Sequence, residues 1–244
     1  MTADFYKIAD KLILIDSLYE RVHEYCKDYR VPQDHPDITV TMTQADIDYE
    51  RERNARTSLL ERRRSRNSSD EYLEELAVYR KIAEKMPDYD TFLFHGSCVA
   101  VDNEGYLFAA PSGTGKSTHT RLWREYFGER AVMVNDDKPL IRVNDSGVTV
   151  FGTPYNGKHR LGSNISVPLK AVCILTRDET NHIEKITKQQ AYATLLQQTY
   201  RPADPLQLAK TMSLLDKFSD RVKLYLLGCN MDREAARISY EGMK

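Results

Sequence analysis

Long apolar runs are missing from this sequence. No stretch approaches the roughly 20 residues that a membrane-crossing helix needs. The short run near the start, KLILID at residues 11–16, is interrupted by acids and followed by no small-residue cleavage site. The expectation is a chain with neither a span nor a signal peptide, working in the cytoplasm. Cysteine is scarce as well: Cys26, Cys98, Cys173 and Cys229 are the four in 244 residues, with no C-x-x-C pair and no histidine at zinc-finger spacing. That argues against a disulfide framework or a zinc module. Cys98, Cys173 and Cys229 lie in or beside apolar runs and are expected to be buried, inert thiols. An excess of either charge is missing too, since 35 Lys+Arg face 36 Asp+Glu for a net charge of -1. Such a balance gives no reason to expect nucleic acid or an anionic membrane as partner, and it leaves a homo-oligomer open.

What is present is the composition of a globular domain, 41% hydrophobic and 29% charged. Basic residues cluster once: residues 51–67 hold seven arginines against two glutamates. No aromatic residue interleaves with them, so the segment reads as solvated and mobile rather than as a binding patch. Around it, residues 11–16 and 38–43 read as strands, and residues 17–30 as a short helix stopped before Pro32. A second helix begins at a capping box of Ser68 and Glu71. It carries Tyr72, Leu76, Tyr79, Ala83 and Met86 at spacings of three and four, and ends before Pro87.

From residue 91 the pattern becomes strand-rich. TFLFHGSCVAVD and GYLFAAP flank Asn103-Glu104-Gly105 and read as a hairpin. A helix over 116–127 follows, then AVMVNDDKPLIRV and VTVFG about a turn at 144–147, a long loop, and the strand KAVCILT. Helices over about 188–200 and 205–218, the strand VKLYLL and a helix from near Asp232 complete the chain. This is an α/β pattern: residues 1–90 as an N-terminal α+β region packed on the core, and 91–244 as a domain built on a mixed β-sheet.

The chemistry concentrates in FAAPSGTGKSTHTRLW at residues 108–123. A strand, a glycine-rich turn and a helix stand in that order, which is the setting of a phosphate loop (P-loop, Walker A). The pattern G-x-x-x-x-G-K-[ST] is met at Gly115, Lys116 and Ser117, with Ala110 in place of the first glycine. Ala110 ends the strand and has no phosphate to touch. Backbone N–H groups from Ser112, Gly113, Thr114, Gly115, Lys116 and Ser117, with Thr118 behind them, would converge on phosphate oxygens at the helix N-terminus. Lys116 adds a cation for the β and γ phosphates of ATP, and Ser117 a hydroxyl for Mg²⁺. Such a loop needs an acid at the end of an apolar strand. AVMVNDD supplies Asp136 and Asp137, 20 residues after Lys116, so that one carboxylate can hold the metal and the other take a proton. His119 reads as a core or helix-surface histidine and Trp123 as packing.

The run HGSCVAVDNEGYLFAAPSGTGKSTH…AVMVNDDKPL resembles the catalytic domain of HPr kinase/phosphorylase and, more distantly, ATP-dependent phosphoenolpyruvate carboxykinase. The resemblance covers roughly residues 92–142. It implies an HPr-kinase-like fold and an ATP-dependent phosphotransferase, with Asp136 as base, His95 assisting it, and Asp137 with Ser117 holding Mg²⁺. Where HPr kinase has an acid after the loop's lysine and serine, this chain has Thr118 and His119. The loop FGTPYNGKHRLGSN is similar to that of smaller HPr-kinase-related bacterial proteins, and its Lys158 and Arg160 are placed to clamp a transferred phosphoryl group. Pairing about the 103–105 turn sets His95 at the loop end of the sheet, within reach of Asp136. The expected function is transfer of the γ-phosphate of ATP to a hydroxyl, on a small molecule or on a serine of a peptide or carrier protein. The alternative is a nucleotide-binding regulator that hydrolyses ATP slowly or not at all.

Overall fold

The computed structural model describes residues 2–60, 68–157 and 159–244, and the chain divides into two compact units, Met1–Lys85 and Met86–Lys244. In the first unit, β1 (Thr2–Ile8) and β2 (Lys11–Ser17) form an antiparallel hairpin whose turn residues, Ala9 and Asp10, both have positive φ. That is the two-residue turn whose twist matches paired strands. A short helix α1 (Arg21–Tyr25) leads to β3 (Ile38–Thr41), which lies parallel to β2, and then to α2 (Gln44–Leu60) and α3 (Asp70–Lys85). Alternate strand residues Tyr6, Ile8, Ile13, Ile15, Ile38 and Val40 are buried, as are Leu73, Ala77, Val78 and Ile82 of α3. The buried Glu74 of α3 accepts from the N–H groups of Leu18 and Tyr19 at 2.6 and 3.0 Å.

Four readings of the sequence change here. β1 is a strand that the acids of TADFYKIAD concealed. The helix expected over 17–30 is a single turn followed by a 3₁₀ turn at Lys27–Tyr29. The basic segment is helical as far as Leu60, because Arg, Glu, Ala and Leu are good helix formers and Arg51 pairs with Asp48 at 2.5 Å. Its remainder, 61–67, lies outside the described residues. At the start of α3, Ser69 rather than Ser68 accepts the capping hydrogen bond, from the N–H of Tyr72.

The second unit is an α/β fold on a mixed sheet. Its strands are β4 (Thr91–Leu93), β5 (Ser97–Val101), β6 (Glu104–Ala109), β7 (Ala131–Asn135), β8 (Leu140–Asn144), β9 (Gly147–Phe151), β10 (Ser166–Arg177), β11 (His182–Lys185) and β12 (Lys223–Cys229). Its helices are α4 (Lys116–Phe127), α5 (Lys188–Gln198), α6 (Pro205–Arg221) and α7 (Glu234–Met243). The sheet runs β4-β8-β9-β10-β6-β5-β7, with β12 also paired to β10 and β11 to β12. β10 changes partner along its length: Ser166–Pro168 pair antiparallel with β9, and the later residues pair parallel with β6 and β12.

Side-chain alternation on these strands builds two cores. Leu107, Val172 and Ile174 face Leu195 of α5 and Leu215 and Phe218 of α6. Tyr106, Phe108, Cys173 and Leu175 face Leu122 and Trp123 of α4 and Ala235 and Met243 of α7. Helices therefore cover both faces. One detail of the strand pattern positions the site. TFLFHGSCVAVD and AVMVNDDKPLIRV pair antiparallel at both ends, β4 with β8 and β5 with β7, and each is broken in the middle, at His95-Gly96 and at residues 136–139. The breaks lie opposite each other, joined by Phe94 N–H to Pro139 O at 3.1 Å and Gly96 N–H to Asp137 O at 3.0 Å.

Candidate nucleotide-binding and phosphotransfer site

β6 ends in the buried Phe108, Ala109 and Ala110, and the chain then turns through Gly113 and Gly115, with φ of 80° and 126°. Those angles lie in the region that glycine alone enters at no steric cost. Gly115 caps α4, so the first amides of that helix face the turn. Among the described residues, no acceptor takes the N–H groups of Gly113, Gly115, Lys116 or Ser117, whereas Thr114 N–H donates to Pro111 O at 3.3 Å. A set of free amides at a helix start is an anion cradle. Ala110 keeps an ordinary backbone conformation, and its carbonyl accepts from Lys116 Nζ at 2.7 Å. Burial lowers the pKa of Lys116 below that of free lysine, and Asp137 and Asp136 oppose that shift.

The two strand breaks bring the acids to this loop. Asp136 is buried and its Oδ1 accepts from Ser97 Oγ at 2.7 Å; Ser97 Oγ also lies 3.2 Å from Thr120 Oγ1 on α4. Asp137 is half-buried, with His95 Nε2 at 3.3 Å from Oδ1 and Lys138 Nζ at 3.9 Å from Oδ2. Burial alone would push the Asp137 carboxyl up, but the His95 hydrogen bond and the charges of Lys138, His95 and Lys116 hold it below the usual carboxylate value. The residue that His95 meets is thus Asp137, where pairing read from the sequence pointed to Asp136.

His95, Ser112, Gly113, Gly115, Lys116, Ser117, Thr118, Asp136 and Asp137 line one cleft of about 320 Å³. Thr114 lies off it and lines a neighbouring cavity. Arg160 is exposed, has φ of 50°, and is not part of the cleft wall; Lys158 lies outside the described residues. Their loop does pass the acids: Gly157, at φ 75°, comes so near Asp137 that a Cβ added there would sit 3.3 Å from the Asp137 Cβ. Among the described residues no group of three His, Cys, Asp or Glu side chains could cage a metal by itself. A hydroxyl and one or two carboxylates beside a phosphate cradle suit Mg²⁺, which keeps waters and shares phosphate oxygens.

Sequence reasoning missed Ser97, Thr120 and Arg177. Arg177 closes β10, and its Nη2 donates to Gly113 O at 2.6 Å. Ser97 carried a local signal, two residues after His95, whereas Arg177 is more than 60 residues from the loop and carried none. His119 is a core residue: it is 2% exposed, with Nε2 at 3.1 Å from Ser239 Oγ, which also accepts from Trp123 Nε1 at 2.9 Å. Of the cysteines, Cys98 and Cys173 are buried and free, while Cys229 is only partly buried.

Residues 61–236 match the family model described as "ScmC: SynChlorMet cassette protein ScmC". No curated protein matches the chain. Among solved structures, the HPr(Ser) kinase/phosphatase from Coxiella burnetii is similar at 11% identity and a TM-score of 0.34, over 62% of this chain and 97% of that one.

Proposed function

Since this chain belongs to the ScmC family, a name that states no reaction, we propose its function from the site: it is an ATP-dependent phosphotransferase that moves the γ-phosphate to a hydroxyl group. The observation that carries this reading is the cleft in which Lys116 and Ser117 stand opposite two carboxylates, each with its own partner, Ser97 on Asp136 and His95 on Asp137. A simple binding loop has no use for the second carboxylate and its histidine.

The acceptor hydroxyl gives its proton to a carboxylate, its oxygen forms the new bond to phosphorus, and the bond from the γ-phosphorus to the bridging oxygen breaks to release ADP. Lys116 and the loop amides neutralise charge on the transferred group. Ser117 and one carboxylate would hold Mg²⁺, which would supply further neutralisation when bound. The hydrogen bonds favour a division of labour opposite to that implied by the family resemblance. Asp137 takes the proton because His95 can relay it onward, and Asp136, held by Ser97 beside α4, serves the metal. The acceptor is a small molecule or a serine of a peptide or carrier protein.

The test is transfer from γ-labelled ATP to small-molecule and macromolecular fractions of a cell extract. Asp137→Asn should lower transfer by about 100-fold or more while keeping Mg-ATP affinity. Asp136→Asn should raise the Mg²⁺ concentration needed for binding. A wild-type chain that binds ATP and labels nothing would favour the regulator instead.

A further inference from the structure

We infer that the cavity on the other side of the phosphate loop receives the nucleoside of the bound nucleotide, an inference that rests on the reading of the loop above. This cavity, of about 490 Å³, shares Gly113, Gly115 and Thr118 with the acidic cleft, so the two adjoin across the loop. A volume of about 300–1,000 Å³ is usual for a small-molecule site. The two spaces differ in chemistry. Lys116 and the two aspartates line the cleft, while Leu175, Cys229 and Met231 give the cavity apolar surface, with Arg177 and Asp178 beside it. An elongated ligand that is anionic at one end and aromatic at the other matches both halves. A nucleoside triphosphate is that ligand.

Three further features fit it. Met231 is 78% exposed beside the cavity, a large apolar side chain standing in solvent, and a base laid against it removes that surface from water. Arg177 lines the cavity and holds the loop through Gly113 O at 2.6 Å and Thr114 O at 3.4 Å, which puts a planar guanidinium at the edge where the cavity meets the loop. Asp178 is on the same wall, and the Thr180 N–H at 3.1 Å from its Oδ1 favours the charged form, an acceptor for ribose hydroxyls. The acceptor substrate has no claim on this space, since it must reach the γ-phosphate from the aspartate side.

The experiment compares Mg-ATP with Mg-tripolyphosphate by calorimetric titration of the full chain. ATP should bind at least about tenfold more tightly, the usual worth of one stacked base. Met231→Ser, at an exposed position where little packing is lost, should narrow that ratio several-fold. The lone tryptophan, Trp123, lies 3.1 Å from His119, so its fluorescence should respond to ATP and not to tripolyphosphate. Equal affinities for the two ligands would overturn the inference and leave the phosphate loop standing, as would a ratio insensitive to Met231→Ser. Binding of neither ligand would remove the loop's function and this inference with it.

Discussion

Burial sets the charge state of His119. Its ring is enclosed by Phe108, Trp123 and Ser239, and desolvation pushes its pKa from 6.5 down to about 3. Between those values the unfolded chain holds a proton that the native one lacks, so stability must fall as pH drops through that window. From 6.5 to about pH 5 the loss is roughly 2 kcal/mol. His119→Gln should cost about 1–2 kcal/mol at neutral pH through its altered hydrogen bonds, yet flatten the acid dependence. Urea midpoints at neutral and mildly acid pH check this. An equal slope in both proteins would show that other groups govern acid stability.

At the level of elements, α2 shows how a helix with little apolar face is held. Glu50 is 1% exposed, and Arg80 of α3 reaches its Oε1 at 2.5 Å while also pairing with Glu84 at 3.2 Å. The Arg80 guanidinium lies 4.7 Å from the centre of the Tyr49 ring as well. A buried ion pair is weak evidence of net stabilisation, but half of one is costly. Arg80→Ala should therefore destabilise the chain by about 3 kcal/mol, because the buried Glu50 carboxylate is left with only the longer contact from Arg53, at 3.4 Å. The double variant Glu50→Gln, Arg80→Met should cost clearly less. A double-mutant cycle in urea measures the difference, and strict additivity would show that the pair is not coupled.

For the whole molecule, the decisive fact is that every residue lining the cleft and its neighbouring cavity belongs to the unit Met86–Lys244. Both hydrophobic cores of that unit are built from its own residues. Residues 86–244 produced alone should bind Mg-ATP within about threefold of the full chain, by calorimetry. A loss beyond about tenfold would show that the first unit contributes to nucleotide binding. No helix among the described residues is long and apolar enough to cross a membrane.

By itself the sequence determined the parts whose physics is local. Gly115, Lys116 and Ser117 after an apolar strand specify a turn, a helix start and a cation within a few bonds of one another, and the structure has all three there. The same holds for Asp136 and Asp137 at the end of β7 and for the alternation that gives the strands two buried faces. Two readings misled: acids hid β1, whose burial comes from other elements, and an arginine run hid the helicity of α2, where helix propensity and a pair three residues apart decide. Only the tertiary structure decided which aspartate faces His95. The answer depends on two strand breaks lying opposite each other in an antiparallel pair, and a shift of one residue there would exchange the partners. Tertiary structure also placed Arg177 against Gly113, because β10 pairs parallel with β6 and so ends at the same edge where the loop begins. Contacts of that kind join residues far apart in sequence, and no local pattern encodes them.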